Sequence, residues 1–95
     1  MDLSDADVTA AVDGRHWRVV LGHLEAAFRT GSFVRGLDFV ARVTQVAEEA
    51  GHHPDVLLRY PSVTLTLVSH DVGRLTERDV ALADRISAIA DELGL

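Results

Sequence analysis

Side chains that could exchange or orient protons are concentrated between positions 48 and 79. Three of the chain's five histidines lie there, two of them adjacent and followed by a proline. An imidazole has an unperturbed pKa of about 6.5, so it can hold either protonation state at neutral pH, and a carboxylate partner can fix its tautomer. The candidate groups are Glu48, His52, His53, His70 and Asp79. The cluster predicts general acid–base chemistry.

Each of these residues also has a purely structural interpretation. Asp79 is the third residue of a capping box that begins at Thr76. Glu48 could be a solvated residue late in a helix, as most Glu residues are. The adjacent histidines could be polar surface residues of a loop, and His70 could simply end a strand. Taken singly, none of these residues establishes a site.

A metal site is a second functional interpretation, since three histidines and carboxylates are adequate ligands for zinc, iron or nickel. The spacing disfavours it, because neighbouring His side chains diverge and no pair of histidines is one helical turn apart. A serine hydrolase is also disfavoured, because no serine has the glycine flanks of a nucleophile elbow. No glycine-rich phosphate loop is present either.

The first half of the chain predicts a short helix and two strands. Leu3–Val12 forms the helix, in which Ser4 can cap the N-terminus and Asp7 completes a capping box. Trp17–Val20 and Leu24–Phe28 have strand character, with Gly22 and His23 near the turn between them, and His23 is expected to be a turn residue outside the site. This part of the chain is therefore expected to form a hairpin.

Apolar residues at three- and four-residue steps predict one long helix from Phe33 to Ala50. Gly51 supplies the left-handed position that ends helices. A second apolar line through Gly36, Phe39, Val43 and Val46 widens the stripe beyond one face. The helix is therefore expected to be covered on two sides, by the sheet and by another helix or subunit.

The second half predicts another hairpin and a final helix. Val56–Tyr60 and Val63–Ser69 are expected to be strands joined at Pro61, whose fixed φ suits a turn. Strand alternation places His70 on the more polar face, with Thr64, Thr66 and Val68. The capping box at Thr76 opens a helix that ends at Gly94.

These elements predict an α+β fold in the order α-β-β-α-β-β-α. Strands connected as hairpins favour a four-stranded antiparallel sheet, with three helices packed on one face. The chain has 95 residues, of which 47% are hydrophobic and 25% charged. This composition is typical of a globular protein, and the length predicts a single domain over residues 1–95.

Composition also constrains partners and location. The formal net charge is −6 and Lys and Arg are not clustered, which argues against direct binding to nucleic acid. The N-terminal segment lacks the features of a signal peptide, and no stretch is apolar enough to span a membrane. A chain without cysteine fits the cytoplasm. So small a core favours self-association.

The residues between 48 and 79 resemble the signature of the pterin-4a-carbinolamine dehydratases. That signature is an acid, three residues, His-His-Pro, an aromatic residue, a strand-end His and an Asp in a capping box. The matching residues are Glu48, His52, His53, Pro54, Tyr60, His70 and Asp79. The likeness extends to Trp17, to residues 39–43 and to residues 75–86. The chain departs from the usual pattern at Val56, Ser69 and Arg74.

The resemblance implies dehydration of a 4a-hydroxytetrahydropterin to quinonoid dihydropterin, with no metal and no organic cofactor. It implies His52 and His70 as the proton-transfer pair, with His53 contacting or orienting the pterin. Glu48 and Asp79 would orient imidazoles. The substrate would be contacted by His53, Pro54 and Ser69. The family likeness also implies a homodimer or homotetramer.

The resemblance leaves one alternative from another class. Relatives of this fold act as a dimerisation partner for a homeodomain transcription factor in animals, and some bacterial relatives act as assembly factors with a degraded site. A non-catalytic interaction module is therefore the second hypothesis. All the signature positions are retained here, which favours the enzyme.

Overall fold

The computed structural model describes residues 3–95, and its elements confirm the predicted order α-β-β-α-β-β-α. The helices are α1 (Asp5–Ala11), α2 (Phe33–Ala50) and α3 (Glu77–Glu92). The strands are β1 (Trp17–Val20), β2 (His23–Arg29), β3 (Asp55–Arg59) and β4 (Ser62–Leu67). None of the helices within the described residues has the length and apolar character needed to cross a bilayer.

The four strands form one antiparallel sheet in the order β1-β2-β4-β3, as predicted. The two hairpins meet where β2 pairs with β4, which brings Phe28 opposite Val63 and Leu24 opposite Leu67. These side chains lie on one face of the sheet. They are buried because residues of all three helices pack against that face in a single core cluster. The other face carries half-buried polar residues such as Glu25 and Thr64.

Aromatic packing fixes the position of α2 and α3 over the sheet. Phe28 of β2 meets Phe39 of α2 with their ring centroids 4.8 Å apart, close to edge-on. Trp17 packs edge-on against Phe28 and donates its indole N–H to Ser87 Oγ of α3 over 3.0 Å. Gly36 favours the close approach of α2, since a Cβ there would lie 2.7 Å from the end of the Leu58 side chain, which would have to move.

The predicted helix caps are confirmed. Ser4 and Asp7 form a reciprocal capping box at α1, and Thr76 and Asp79 form another at α3. Gly51 adopts the left-handed conformation, with φ of 62°, at the end of α2. The two capping boxes set where α1 and α3 begin, and Gly51 sets where α2 ends. The positions of the neighbouring loop residues follow from these boundaries.

Two predictions about the strands are wrong. His23 is the first residue of β2 rather than a turn residue, because the turn lies at positions 21 and 22. The last strand ends at Leu67 instead of Ser69, and Val68 and Ser69 are both buried, so alternation does not continue. His70 therefore does not project from a strand; it lies in the turn that follows.

The remaining differences lie at element boundaries and on the long helix. The helix predicted at Leu3–Val12 is shorter at both ends, and the strand predicted at Val56–Tyr60 is shifted by one residue. The buried side of α2 follows the second apolar line of the sequence, through Phe39 and Val43. Residues of the first line near the helix N-terminus are at least half exposed, as in Phe33 and Leu37.

Asp13 is expected to stabilise the loop before β1 in a pH-dependent manner. Its carboxylate accepts hydrogen bonds from the side chain and backbone of Arg15 and from His16, which lower its pKa to about 2. The unfolded pKa is about 3.9, so the stabilisation is complete above that value and is lost as the pH falls toward 2. Asp13→Asn should lower the urea midpoint at pH 7, and the difference from wild type should shrink near pH 2. Asp84→Asn, an exposed control, should show no such trend.

Candidate active site

The end of α2 separates the two adjacent histidines. Gly51 turns the chain out of the helix, and the amide of His52 returns a hydrogen bond of 3.2 Å to the carbonyl of Ala47. A hydrogen bond from the amide of the second residue after the helix to the carbonyl five positions earlier is typical of a Schellman motif. As a result His52 points into the protein and is 8% exposed, whereas His53 lies on the surface.

The inward histidine forms a buried pair with Asp79. The distance from His52 Nε2 to Asp79 Oδ1 is 2.6 Å, and Asp79 has no exposed surface. The other ring nitrogen, Nδ1, makes no hydrogen bond with residues 3–95. The His52 side chain nevertheless keeps 10% of its surface exposed. His52 therefore has one nitrogen held by a carboxylate and one available to a ligand.

Asp79 is held by three donors. His52 Nε2 reaches Oδ1, while the hydroxyl of Ser69 and the amide of Thr76 reach Oδ2 over 2.8 and 2.9 Å. A carboxylate only accepts hydrogen bonds, so this donor set matches the ionised form and offsets the cost of burying it. The capping role and the histidine-pairing role of Asp79 are thus both present in one side chain, using different oxygens.

His53 and Glu48 form a second and more open pair. Nε2 of His53 contacts Oε2 of Glu48, and both side chains are more than half exposed. Water screens such a pair, so it fixes the ring less firmly than the buried one does. Pro54 follows, half-buried, before β3 begins.

The position of His70 is set by Ser69, the residue that precedes it in the chain. Ser69, which donates to Asp79, directly precedes it, so the backbone of His70 lies close to the buried His52–Asp79 pair. The imidazole of His70 is exposed and makes no hydrogen bond or ion pair with any of residues 3–95. It is therefore available to a ligand that lies against this surface.

The position of Ser69 changes how its role is understood. Its hydroxyl was expected to contact substrate, yet Ser69 has no exposed surface and its oxygen bonds Asp79 and Thr76. No role beyond capping was predicted for the Thr76 hydroxyl, and none was predicted for Arg78 and Asp71, which pair beside it. The capping-box motif was the available signal, since it places Thr76 next to Asp79 in space.

A surface cavity lies apart from these side chains, and their grouping bears on the possibility of a metal site. A cavity of about 220 Å³ opens beside β1 and is lined by residues such as Arg15, His16 and Glu25, away from His52 and His70. Within residues 3–95, no three His, Asp or Glu side chains are grouped so that they could hold a metal ion. Of the three histidines between positions 48 and 79, His52 lies in a buried pair, His53 lies in an open pair, and the imidazole of His70 is exposed.

The chain is a small α+β protein that carries a buried His52–Asp79 pair between the end of α2 and the first turn of α3. The family described as pterin 4 alpha carbinolamine dehydratase matches residues 1–89. The chain therefore belongs to the pterin 4 alpha carbinolamine dehydratase family.

Curated relatives agree with that assignment. A Mycobacterium tuberculosis protein is 42% identical over 88 residues, covering 92% of this chain and 94% of its own length. A Cyanothece protein is 37% identical over 89 residues, covering 93% and 92%. Both are named provisionally as pterin-4-alpha-carbinolamine dehydratases.

Two solved structures share the fold. A transcriptional coactivator/pterin dehydratase from Brucella melitensis superposes with a TM-score of 0.84 at 28% identity, covering 95% of this chain and 99% of that one. A pterin dehydratase-like protein described as a RuBisCO assembly factor in the alpha-carboxysome has a TM-score of 0.65 at 27% identity, covering 79% and 89%.

Proposed function

We propose that this protein dehydrates 4a-hydroxytetrahydropterin to quinonoid dihydropterin, as a step of pterin recycling after aromatic amino acid hydroxylation. The observation that carries the proposal is the buried pair of His52 and Asp79, in which Nε2 is bonded to the carboxylate and Nδ1 has no partner among residues 3–95. Membership of the dehydratase family supplies the substrate class.

The reaction moves two protons and no electrons. The bond between C4a and the hydroxyl oxygen breaks, the hydroxyl leaves as water after it receives a proton, and the proton on N5 is lost. A positioned acid or base typically contributes about 10²–10⁴-fold to such a step. We assign the two proton transfers to His52 and His70, one to each.

The carboxylates would tune the histidines. Asp79 accepts from Nε2 of His52, which keeps Nδ1 as the reacting nitrogen and stabilises the imidazolium when a proton arrives. Glu48 would orient His53 in the same manner at the surface. His53 and Pro54 would then contact the pterin ring.

We propose a supporting role for the Ser69 side chain in place of substrate contact. Its single hydroxyl proton is directed at Asp79 Oδ2 over 2.8 Å, and its oxygen is shared with Thr76. A hydroxyl engaged in this way inside the protein has no proton to offer a ligand. Ser69 would help to hold Asp79 in the position that His52 requires.

A non-catalytic interaction role is the second candidate. It is favoured by the relative described as a RuBisCO assembly factor and by the one described as a transcriptional coactivator. The retained acid–base groups favour the enzyme, because a module that only docks has no need for a buried carboxylate paired with an imidazole. A dehydration assay separates the two, because only the enzyme would accelerate the reaction.

We further propose a cytoplasmic homodimer or homotetramer that binds no nucleic acid directly. β3 is an edge strand that pairs only with β4 within residues 3–95, and its Val56 and Leu57 are about half exposed. Phe33, Val34 and Leu37 form a further exposed apolar patch on α2. Edges and apolar patches of this kind favour association.

The oligomer should be detectable directly. Light scattering at micromolar concentration is expected to give at least twice the 10.3 kDa mass of one chain. Leu37→Glu or Leu57→Glu should reduce the mass, because each buries a charge if its patch is an interface. A stable monomer at all concentrations tested would contradict this proposal.

Purified protein should accelerate dehydration of synthetic 4a-hydroxytetrahydropterin in the presence of excess chelator. The reason is that the proposed chemistry is proton transfer between imidazoles and substrate. The measurement is loss of the hydroxypterin ultraviolet absorbance, compared with the uncatalysed rate in the same buffer. Activity that appears only after zinc or iron is added would identify the metal interpretation as the correct one, and no acceleration at all would favour the interaction module.

A further inference from the structure

The turn that carries His70 is closed at its base. The amide of Gly73 donates to the carbonyl of Ser69 over 2.8 Å, and the amide of Ser69 donates to the carbonyl of Arg74 over 3.3 Å. Gly73 has a positive φ of 69°, which allows the tight return. These two hydrogen bonds therefore join the two ends of the turn at Ser69, the residue whose hydroxyl donates to Asp79.

Arg78 ties the tip of the same turn to helix α3. Its guanidinium donates to Asp71 Oδ1 over 2.7 Å, one residue past His70. The Nε of Arg78 also lies 3.4 Å from Thr76 Oγ1, which accepts its backbone amide over 3.2 Å. The ion pair holds the pKa of Asp71 below its usual range. Arg78 thus contacts both the turn and the cap.

The hydrogen bonds made by the two hydroxyl groups between Arg78 and His52 can run in only one direction. Ser69 donates to Asp79 and has a single hydroxyl proton, so Thr76 must donate to Ser69 across the 2.8 Å between their oxygens. The Thr76 oxygen in turn accepts from Arg78. The bonds therefore run from Arg78 through Thr76 and Ser69 to Asp79, which also accepts from His52.

We infer that Arg78 is a positioning residue, which holds the His70 turn and the buried His52–Asp79 pair in one fixed geometry. This inference rests on the proposed function, in which His52 and His70 act on the same ring. Neither proton transfer involves Arg78 itself. Its effect arises because a displacement of about 1 Å between reacting groups can cost on the order of 10²-fold in rate.

The competing explanation is that Arg78 and Asp71 form an ordinary surface ion pair, which would contribute little. The chain provides a matched control on the same helix. Arg85 pairs with Glu49 of α2, and its side chain is 44% exposed compared with 48% for Arg78. The control pair has no hydrogen bond to the capping box or to the His70 turn.

Steady-state kinetics should separate the two explanations. Arg78→Gln and Asp71→Asn should each lower kcat about tenfold with little change in KM, because the substrate contacts remain while the reacting groups shift. The double variant should lose about tenfold rather than a hundredfold, since both changes break one link. Arg78→Lys keeps the charge opposite Asp71 but loses the Nε contact with Thr76, so its kcat should lie between those of Arg78→Gln and wild type. Arg85→Gln should have no effect.

Imidazole NMR gives a readout that does not depend on turnover. Arg78→Gln should shift the ring resonances of both His52 and His70 at a fixed pH, because the two rings change position, and Arg85→Gln should shift neither. If wild type proves inactive, the proposed function fails and the NMR result alone decides the positioning role. If wild type is active and Arg78→Gln matches Arg85→Gln in both kcat and the histidine ring resonances, Arg78 is an ordinary surface residue. Should Arg78→Gln unfold, Asp71→Asn and Arg78→Lys test the same link.

Discussion

His70→Gln should lower kcat for dehydration by about 10²-fold or more while thermal stability stays nearly unchanged. Glutamine keeps the polarity and approximate size of the side chain but cannot exchange a proton near neutral pH. The imidazole is exposed and has no partner among residues 3–95, so its removal breaks no contact of the described fold. A surface substitution of this kind costs within about 0.5 kcal/mol.

His23→Gln is the matched control for that experiment. His23 is also exposed, but it lies at the start of β2 opposite Val20, in the β1–β2 hairpin and outside the proposed site. It should therefore alter neither kcat nor the melting temperature. A His70→Gln protein with near wild-type kcat, or one whose activity falls only in step with unfolding, would remove His70 from the proposed proton transfers.

Local sequence signals were sufficient to locate the elements that carry the site. The capping boxes at Ser4 and Thr76 and the glycine at position 51 are short-range features, in which a few neighbouring residues satisfy the backbone of a helix end. Their geometry depends little on the rest of the protein. The prediction of these three caps was therefore confirmed, as was the order of the elements.

The end of β4 could not be predicted in the same way. Strand periodicity assigns Val68 to the polar face and Ser69 to the apolar one, yet both are buried. The reason is tertiary, because Ser69 bonds Asp79 and Thr76 of the next segment. A pattern of alternating residues contains no information on a hydrogen bond that forms only when α3 docks beside the strand end.

The opposite orientations of the two adjacent histidines are a further result of tertiary structure. From sequence, the divergence of neighbouring side chains was expected, but nothing indicated which one would point inward. The hydrogen bond from the His52 amide to the Ala47 carbonyl fixes the chain direction after the helix. The His52 side chain then points inward and contacts Asp79. The resemblance named both carboxylates as partners. The structure pairs each with one histidine, His52 with Asp79 and His53 with Glu48.

The largest effect is expected for Asp79, whose two oxygens both act as acceptors in a fully buried position. Asp79→Asn keeps the shape but replaces one acceptor by an NH₂ donor. The amide of Thr76 cannot reverse, so the remaining oxygen must face Thr76 and Ser69. The new NH₂ group then faces Nε2 of His52. That nitrogen must become an acceptor, which moves the imidazole proton to Nδ1.

Asp79→Asn should consequently lower kcat by about 10³-fold or more, since the nitrogen assigned to react would hold the wrong protonation state. Because donors remain paired after the tautomer changes, the free energy of unfolding should fall by only about 1–3 kcal/mol. Asp79→Ala, which leaves three donors without an acceptor, should cost about 3–5 kcal/mol. Asp84→Asn, at an exposed position of the same helix, should change neither quantity.

Nitrogen NMR of His52 provides the test that links these effects to one cause. Wild type should carry the proton on Nε2 and the Asp79→Asn variant should carry it on Nδ1, at a pH where the ring is neutral. If the variant keeps the Nε2 tautomer and near wild-type kcat, Asp79 acts only as a helix cap. If the tautomer changes and kcat does not, the proton transfers belong to histidines other than His52.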